Sequence, residues 1–478
     1  MTDSIAEPAG LGEGFLTGST AARRICRRLL LDKLHLERGC LRLVDATADD
    51  SAARVEVEVG EPWAEASLRA LVHVHDDRFW PTVALGGSIG AAESYVAGHW
   101  SADDLVRVLR LFAVNADVMQ GLESGSGRLM RPLHWLAQAA RANTRVGSRR
   151  NISAHYDLSN DFFKLFLDSE LMYSAAIFKN AVEDPVKDAV EDAAEPAAEG
   201  VNVPTEDLSA TPARDDLETA SWRKRERLCR KLALGPDDHL LEIGTGWGGF
   251  AVHAARRFGC RVTTTTISRQ QYDHAVERVR AEGLEDRIDV LLRDYRDLDG
   301  TYDKLVSIEM IEAVGRRFLD GYFERCAALL RPHGRMALQV ITISDSVYDD
   351  YKRSVDFIQR YIFPGSHLPS IGALTRSIAR TDLQMVHLED IGPHYAKTLR
   401  LWRRRFFERL DAVRALGFSD SFVRLWEYYM AYCEAGFLER RIGDAQIVLA
   451  KPGDRGASLL GDLQDAPGPN VLVRQGGA

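Results

Sequence analysis

The chain has 478 residues, of which 45% are hydrophobic and 27% are charged, and this composition is typical of a globular protein with two or three domains. It contains no apolar run of about eighteen residues, which argues against a membrane-spanning helix, and its N-terminus lacks the pattern of a secretory signal. The six cysteines are widely spaced, so neither a metal site nor a disulfide framework is predicted, and a reducing cytoplasm is expected.

The net charge of −9 is concentrated in one segment. Between Glu183 and Glu218, twelve acidic residues accompany only two basic ones, and four prolines interrupt the segment. Such a segment buries too little apolar area to offset its ordering entropy, so residues 181–218 are predicted to be a disordered insertion. The rest of the chain is close to neutral, and the acidic pI therefore does not exclude an anionic partner.

Residues 1–145 are predicted to form an N-terminal α+β domain with a helical linker. Short alternating apolar runs over about 36–85, such as residues 54–59, predict half-buried strands. A helical pattern follows from Ser101 to about residue 142, with Ser101 as the expected N-cap. Residues 146–180 are then predicted as a helical motif that begins the catalytic domain.

Strands and helices alternate strictly over residues 219–452. Seven strands are predicted, at 239–243, 261–266, 288–292, 303–308, 335–341, 384–388 and 445–450. Helices are predicted at 247–258, at 268–281 and up to Leu330, with helical insertions over 345–380 and 395–440. This alternation predicts an α/β fold with a mostly parallel sheet covered on both faces. The glycine-rich tail over 453–478 is expected to be flexible.

A glycine turn, Leu-Glu-Ile-Gly-Thr-Gly-Trp-Gly-Gly, follows the first strand of this unit over residues 241–249. Glycine lets the backbone approach a ligand closely and adopt positive φ. No Lys-Ser/Thr pair follows, which excludes a phosphate-binding loop of the NTPase type. The turn therefore predicts either an S-adenosylmethionine site or a plain strand-to-helix connection. Its predicted cofactor contacts are Glu242, Gly244, Gly246, Trp247 and Gly248.

Polar residues follow the next two strands. Thr266 and Gln271 lie where the ribose and the methionine part of S-adenosylmethionine are expected, and Asp294 and Tyr295 where the adenine is expected. The threonines also fit a β-branched strand, and Ser268 fits a helix N-cap, without any ligand.

Several motifs occur in an order that resembles the cyclopropane fatty acid synthase family. They are the run Asn-Ile-Ser-Ala-His-Tyr-Asp-Leu-Ser-Asn-Asp-Phe-Phe at 151–163, Met-Tyr-Ser at 172–174, the glycine turn, and segments at 307–315, 361–370 and 394–399. Together they cover about residues 150–450. Residues 93–100 also resemble the family's N-terminal lipid-binding domain.

The resemblance implies a class I S-adenosylmethionine-dependent methyltransferase fold. It implies transfer of a methyl group to the double bond of an unsaturated acyl chain in membrane phospholipid, which forms a cyclopropane ring after a bound bicarbonate removes a proton. By motif position, Tyr173 and Ser174 join the cofactor site. The residues implied at the catalytic and bicarbonate site are Glu312, Tyr395, Gln339, Ala175 and Ile341.

The chain departs from the family pattern at the implied bicarbonate site. Ala175 replaces a cysteine, Glu309 a glycine, Ala313 a histidine and Gln339 another histidine. A glutamine amide can donate a hydrogen bond but cannot carry positive charge. The product is therefore left open between a ring and a methylene or methyl branch. A methyltransferase with a small heteroatom acceptor and a non-enzymatic lipid-binding protein are further alternatives.

Two other features bear on a lipid substrate. Aromatic side chains that could stabilise a developing cation, or simply fill the core, are Tyr156, Phe178, Tyr361, Phe363 and Tyr395. A predicted helix near residue 25 has Ile25 and Leu29 beside Arg23, Arg24, Arg27 and Arg28, which fits either an anionic membrane surface or packing on its own domain.

Peripheral association with the inner face of a membrane is expected from these features. A second basic cluster contains Arg400, Arg403, Arg404 and Arg405. Nucleic acid is not predicted as its partner because no base-stacking module accompanies the charge. A homodimer is left open.

Overall fold

The structure is a computed structural model, and it describes residues 20–47, 55–60, 68–115, 143–144, 147–148, 158–179, 216–456 and 459. The motif at 151–157, including Tyr156, lies outside these residues, as do the linker after residue 115 and nearly all of the acidic segment. None of the helices in the described part is both long enough and apolar enough to cross a membrane.

The N-terminal domain contains a four-stranded sheet with the strand order β2-β1-β3-β4. Its strands are β1 (Cys40–Asp45), β2 (Val55–Val59), β3 (Arg69–Val74) and β4 (Trp100–Ala102). Its helices are α1 (Thr20–Lys33), α2 (Phe79–Val96) and α3 (Leu105–Val114). The alternating runs predicted this α+β arrangement because the apolar side chains of β1 and β3 face a shared core.

Two predictions in this domain are wrong. The region predicted as strands to residue 85 includes the first turns of α2, which starts at Phe79. Ser101 lies in β4, and the helix cap is Asp104, whose side chain accepts a hydrogen bond from the Arg107 N–H at 2.9 Å. Asp104 is as good an N-cap residue as Ser101, so residue type alone does not distinguish the two positions.

The catalytic domain is built on a seven-strand sheet with the order β10-β11-β9-β8-β5-β6-β7. The strands are β5 (His239–Ile243), β6 (Arg261–Thr266), β7 (Ile288–Leu292), β8 (Tyr302–Ile308), β9 (Leu330–Ile343), β10 (Gln384–Asp390) and β11 (Ile442–Ala450). All neighbours are parallel except β11, which is antiparallel to β9 and to β10. The predicted mostly parallel seven-strand sheet is confirmed.

Helices cover both faces of this sheet. They are α4 (Asn160–Phe163), α5 (Leu217–Leu232), α6 (Gly249–Phe258), α7 (Arg269–Ala281), α8 (Leu319–Leu329), α9 (Asp345–Tyr351), α10 (Ile371–Ile378), α11 (Gly392–Glu408), α12 (Leu410–Ala415) and α13 (Asp420–Leu438). A short π-helix spans Ile358–Ile362. The predicted cap Ser268 is confirmed, since its hydroxyl accepts from the Gln271 N–H at 3.3 Å.

Three predicted boundaries differ from the structure. Residues 216–218, assigned to the disordered insertion, begin α5, and Asp216 is its N-cap. The segment 158–179, predicted as helical, contains only the short helix α4. The start of the predicted flexible tail is attached to β9, because the Gly453 N–H donates to Pro332 O at 3.0 Å and Asp454 pairs with the buried Arg335 at 2.7 Å.

Helix α13 joins the two domains. It packs against α2 and α3, and the Tyr95 hydroxyl donates to Glu427 at 2.7 Å. Arg110 of α3 pairs with Glu439, just beyond α13, at 2.6 Å. One continuous apolar cluster includes residues from both domains, so the N-terminal domain extends the core of the catalytic domain.

The two basic clusters lie in different environments. In α1, Arg23 pairs with Asp77, and Arg27 pairs with Asp45 at 3.4 Å and lies over the Trp80 ring. Arg24 and Arg28 are exposed, and Arg28 lies 3.8 Å from the exposed Asp32. In the second cluster, Arg400 and Arg403 pair with the buried Glu434, Arg405 with Glu218 and Arg404 with Glu408. The second cluster is therefore largely neutralised within the fold.

Candidate active site

A single cavity of about 1990 Å³ extends from the glycine turn into the N-terminal domain. Its walls are mostly apolar: Leu30, Leu34, Leu41 and Phe79 line the N-terminal part, and Phe363, Tyr428 and Tyr429 line the central part. Polar groups are concentrated where β5, β6, β7 and β8 end. The carboxyl ends of parallel strands meet at one edge of the sheet, and ligands bind there in α/β folds.

The glycine turn has the backbone conformation that its residues predict. Gly244, Gly246 and Gly248 have φ of +105°, +52° and +84°. A Cβ on Gly244 would lie 3.2 Å from Cβ and Cγ of Met310. Gly248 packs against Ala275 of α7 instead of lining the cavity, so its role is to bring α6 close to α7. The turn therefore presents bare backbone to the cavity at Gly244 and Gly246.

The polar residues after β6 and β7 also reach the cavity. The Thr266 hydroxyl donates to the Gln271 side-chain oxygen at 2.9 Å, which fixes the amide of Gln271. The Asp294 carboxylate is held by the Arg296 guanidinium at 2.6 and 2.8 Å, and Tyr295 packs against Tyr322. These side chains are preorganised by neighbouring residues.

The segment before α5 supplies Tyr173 and Ser174. The Tyr173 ring stacks on Trp402, and its hydroxyl lies 2.9 Å from that of Tyr429. Trp247 joins this segment to the glycine turn, since its indole N–H donates to Asn160 at 2.8 Å. Of the predicted cofactor contacts, these line the cavity: Tyr173, Ser174, Glu242, Gly244, Gly246, Trp247, Thr266, Gln271, Asp294 and Tyr295.

Glu309, the residue after β8, lies at the centre of the polar region. Its carboxylate accepts hydrogen bonds from the Ala175 N–H at 2.8 Å, from Gln339 Nε2 at 2.7 Å and from the Tyr395 hydroxyl at 2.8 Å. Its φ is +46°, a left-handed backbone conformation that residues other than glycine rarely adopt.

The three donors to Glu309 are groups that the family resemblance implied for bicarbonate. A fourth, the Ile341 N–H, donates to Glu312 Oε1 at 2.6 Å. The predicted site residues are therefore brought together, but protein carboxylates already occupy their donors. Bicarbonate does not fit here: Ala175 and Gln339 lie behind Glu309, while Glu309, Glu312, Ile341 and Tyr395 face the cavity.

Burial raises the pKa of all three carboxyl groups in this region. Desolvation and the neighbouring Glu309 raise the pKa of Glu312 to about 8. Desolvation and Glu309 likewise hold the pKa of Asp444 well above its usual range. Burial raises the pKa of Glu309 itself, although its hydrogen bonds and Lys224 oppose this. Glu309 is consequently the carboxyl whose ionised form is best supported, and it is more basic than a carboxylate in water.

Lys224 provides positive charge behind the site. It is fully buried, its Nζ donates to the Ser174 hydroxyl at 2.7 Å, and desolvation lowers its pKa to about 8. The charge of Lys224 is thereby directed at Glu309 and Asp444 through the interior of the protein.

Replacing Glu312 with glutamine is expected to raise the melting temperature at pH 9 by a few degrees and to leave it nearly unchanged at pH 4. The pKa of Glu312 is raised to about 8 in the folded protein, from an ordinary value of 4.5. The stability that depends on the protonated carboxyl is therefore fully present at pH 4 and is lost as the pH rises through about 8, whereas a glutamine does not ionise. Thermal melts across this range measure the effect. Glu277→Gln, on the exposed face of α7, is the control. A pH-independent difference would contradict the prediction.

Three functional candidates were not assigned a role from the sequence. In the sequence, Glu309 is distinguished only as a departure from glycine. Its positive φ, which a glycine at that position would accommodate, is visible only in the structure. Lys224 and Asp444 resemble ordinary helix and strand residues in the sequence, and no local pattern marks them. Of the predicted aromatic residues, Phe363 and Tyr395 line the cavity, whereas Phe178 and Tyr361 do not.

The sheet order, the glycine turn at the end of β5 and the polar groups at the ends of β6 and β7 define an S-adenosylmethionine-dependent methyltransferase of class I. Residues 143–447 match the family described as mycolic acid cyclopropane synthetase, and the chain belongs to this family.

Several relatives match most of the chain. It is 37% identical to the tuberculostearic acid methyltransferase of Mycobacterium tuberculosis, over 86% of this chain and 91% of the relative. It is 32% identical to the cyclopropane-fatty-acyl-phospholipid synthase of Escherichia coli, over 82% and 90%. Among solved structures, the cyclopropane synthase MmaA2 of Mycobacterium tuberculosis has a TM-score of 0.53 and 28% identity, covering 63% of this chain and 98% of that one.

Proposed function

We propose that the protein transfers the methyl group of S-adenosylmethionine to the double bond of an unsaturated acyl chain in phospholipid, and that Glu309 accepts the proton lost afterwards. The observation that carries this proposal is the Glu309 carboxylate, which is held by three donors and faces an apolar cavity shared with the glycine turn. S-adenosylmethionine, when bound, supplies an electrophilic methyl group.

The cavity suits an acyl chain that becomes positively charged during the reaction. Its apolar walls exclude water, which would otherwise add to a cation. Phe363, Tyr429 and Tyr395, whose hydroxyl donates to Glu309, are aromatic residues that line the cavity and can stabilise positive charge. A small polar acceptor would leave the long apolar extension into the N-terminal domain without a role.

Glu309 has the properties of a general base. The Ala175, Gln339 and Tyr395 donors fix the direction of its carboxylate, and burial makes it more basic than a glutamate in water. A proton acceptor supplied by the protein makes bound bicarbonate unnecessary.

We propose a methylene-branched acyl chain as the product. After methyl addition, a hydride shift between the two former alkene carbons and loss of a proton from the new methyl group leave a methylene branch. Loss of a proton with ring closure would give a cyclopropane of the same composition. The departures at Ala175, Glu309 and Gln339, and the relative named as a methyltransferase, support the branch. The Escherichia coli relative supports the ring as a second candidate.

The test is to incubate the protein with S-adenosylmethionine and vesicles of unsaturated phospholipid and to analyse the released fatty acids. A gain of one CH₂ is expected for either product. Ozonolysis converts a methylene branch into a ketone and leaves a ring intact, so it separates the two. Consumption of S-adenosylmethionine without any change in the lipid would overturn the proposal.

We further propose that α1 docks on an anionic membrane surface. Ile25 and Leu29 are 59% and 51% exposed on one face of α1, beside the exposed Arg24 and Arg28. Leu30 of the same helix lines the cavity, which also reaches α2 at Leu85 and Gly86. Exposed apolar side chains flanked by basic ones favour an anionic bilayer, and the cavity nearby would receive the acyl chain.

The double substitution Ile25→Asp and Leu29→Asp is expected to lower binding to anionic vesicles by about tenfold or more, since it removes inserted apolar area and adds negative charge. Vesicle co-sedimentation measures the loss. The matched control is Val386→Asp with Leu388→Asp, which changes two exposed apolar residues of the edge strand β10. Equal losses in both variants, or no loss at α1, would argue against docking through α1.

A further inference from the structure

A chain of buried polar side chains connects Lys231 of α5, through β11 and β9, with Glu309. Lys231 Nζ donates to Gln446 Oε1 at 2.8 Å, Gln446 Nε2 donates to Gln339 Oε1 at 3.0 Å, and Gln339 Nε2 donates to Glu309 at 2.7 Å. Gln446 of β11 is paired directly opposite Gln339 of β9, and both glutamines are 0% exposed. The two glutamines therefore have no access to solvent as an alternative partner.

The chemistry of its two ends fixes the direction of this chain. An ammonium group has donors and no acceptor, whereas an ionised carboxylate has acceptors only. Lys231 therefore requires the carbonyl oxygen of Gln446, which directs the Gln446 N–H toward Gln339. Gln339 must then present its oxygen to Gln446 and its N–H group to Glu309. The same Nε2 also lies 3.2 Å from Asp444 Oδ2 and 3.4 Å from the Ala175 carbonyl oxygen, which favour the same orientation. Reversing either amide would place two donors or two acceptors against each other in a buried site.

We propose that Lys231 and Gln446 are positioning residues that keep the N–H group of Gln339 directed at Glu309. This inference rests on the proposed function, because it concerns the readiness of Glu309 to accept a proton. The aligned amide dipoles favour the ionised form of Glu309, so weakening the chain would require a higher pH to ionise it.

Other charged groups also face the two ends of the chain. Lys224 of α5, Asp444 of β11, Glu312 and Tyr395 surround Glu309. Glu389 pairs with Lys231 at 2.5 Å and also with Arg227, and His387 lies nearby. The test must therefore separate the amide chain from the ion pairs around Glu389.

Lys231→Met and Arg227→Met make this separation. Both remove a partner of Glu389, but only Lys231 contacts Gln446. Lys231→Met is expected to move the acidic limb of the pH profile of kcat by roughly half a unit toward higher pH, a roughly threefold loss below that limb, with unchanged cofactor affinity. Arg227→Met is expected to retain the wild-type profile. Identical profiles for Lys231→Met and the wild type would overturn the proposal.

Gln446→Glu removes the N–H group that donates to Gln339 while keeping a side chain of nearly the same size. The new carboxylate accepts from Lys231 but offers Gln339 only acceptors, so the Gln339 amide has acceptors on both sides and its N–H group is no longer held in one direction. Turnover is expected to fall by about tenfold or more, with a larger shift of the acidic limb than in Lys231→Met. Thermal melts show whether each variant is folded, and unchanged turnover in folded Gln446→Glu would count against the proposal.

Glu309→Gln distinguishes a failure of this inference from a failure of the proposed function. If Glu309→Gln retains full turnover, Glu309 is not the base and the proposed function fails. If Glu309→Gln is inactive but the Lys231 and Gln446 variants behave as the wild type, only the positioning role is wrong.

Discussion

Replacing Glu309 with glycine is expected to lower turnover by about 10²- to 10⁴-fold while leaving S-adenosylmethionine affinity within about twofold. The carboxylate removed is the proposed proton acceptor, whereas the glycine turn that would hold the cofactor is untouched. Glu309 has a φ of +46°, which glycine adopts without strain, and this offsets part of the stability lost with the three hydrogen bonds to the carboxylate, so the variant is expected to remain folded. Lipid turnover, cofactor titration and thermal melts measure the three quantities.

The same variant is expected to regain part of its turnover when bicarbonate is added. Without the Glu309 side chain, the Ala175 N–H, the Gln339 amide and the Tyr395 hydroxyl form an open cradle for a small oxyanion. The matched control is Glu309→Gln, whose amide fills the cradle but is not basic, so bicarbonate should not rescue it. Wild-type turnover in Glu309→Gly without bicarbonate would rule out Glu309 as the base.

Replacing Gly244 with alanine is expected to weaken S-adenosylmethionine binding by about tenfold to a hundredfold. Gly244 has a φ of +105°, and an added Cβ would lie 3.2 Å from Met310 at the edge of the cavity. The methyl group would also intrude where the backbone is expected to meet the cofactor. Calorimetric titration with S-adenosylmethionine gives the change in affinity.

Gly283→Ala is the control for the backbone effect. Gly283 also has a positive φ, +64°, but a Cβ added there would have no atom within 4 Å, and the residue is exposed. A general penalty for alanine at positive φ would affect stability in both variants, whereas the loss of affinity should be confined to Gly244→Ala. Equal affinities in the two variants would show that Gly244 does not contact the cofactor.

The strands of the catalytic sheet could be predicted because each strand is marked by residues that are adjacent in the sequence. The bounds of β5, β6 and β7 agree with the strands predicted from apolar runs, since each buried strand is a short run bounded by turn residues. The N-terminal boundaries were less predictable: Ser101 and Asp104 are both acceptable caps, and the path of β4 decides between them. The order β10-β11-β9-β8 likewise depends on long-range pairing that no single segment encodes.

The sequence predicts cofactor contacts in the glycine turn and after β6 and β7 because a cofactor site at strand ends requires glycines and polar groups at fixed points of the chain. Of these, Gly244, Gly246, Trp247, Thr266, Gln271, Asp294 and Tyr295 line the cavity, whereas Gly248 does not. The three residues that donate to Glu309, which are Ala175, Gln339 and Tyr395, were also among the residues that the family resemblance implied. The sequence did not show what accepts from them, since hydrogen-bond partners depend on which side chains the fold brings within about 3 Å. Only the tertiary structure placed Glu309 against Ala175, Gln339 and Tyr395, and linked Gln339 through Gln446 to Lys231, because these residues come from separate elements and segments of the chain.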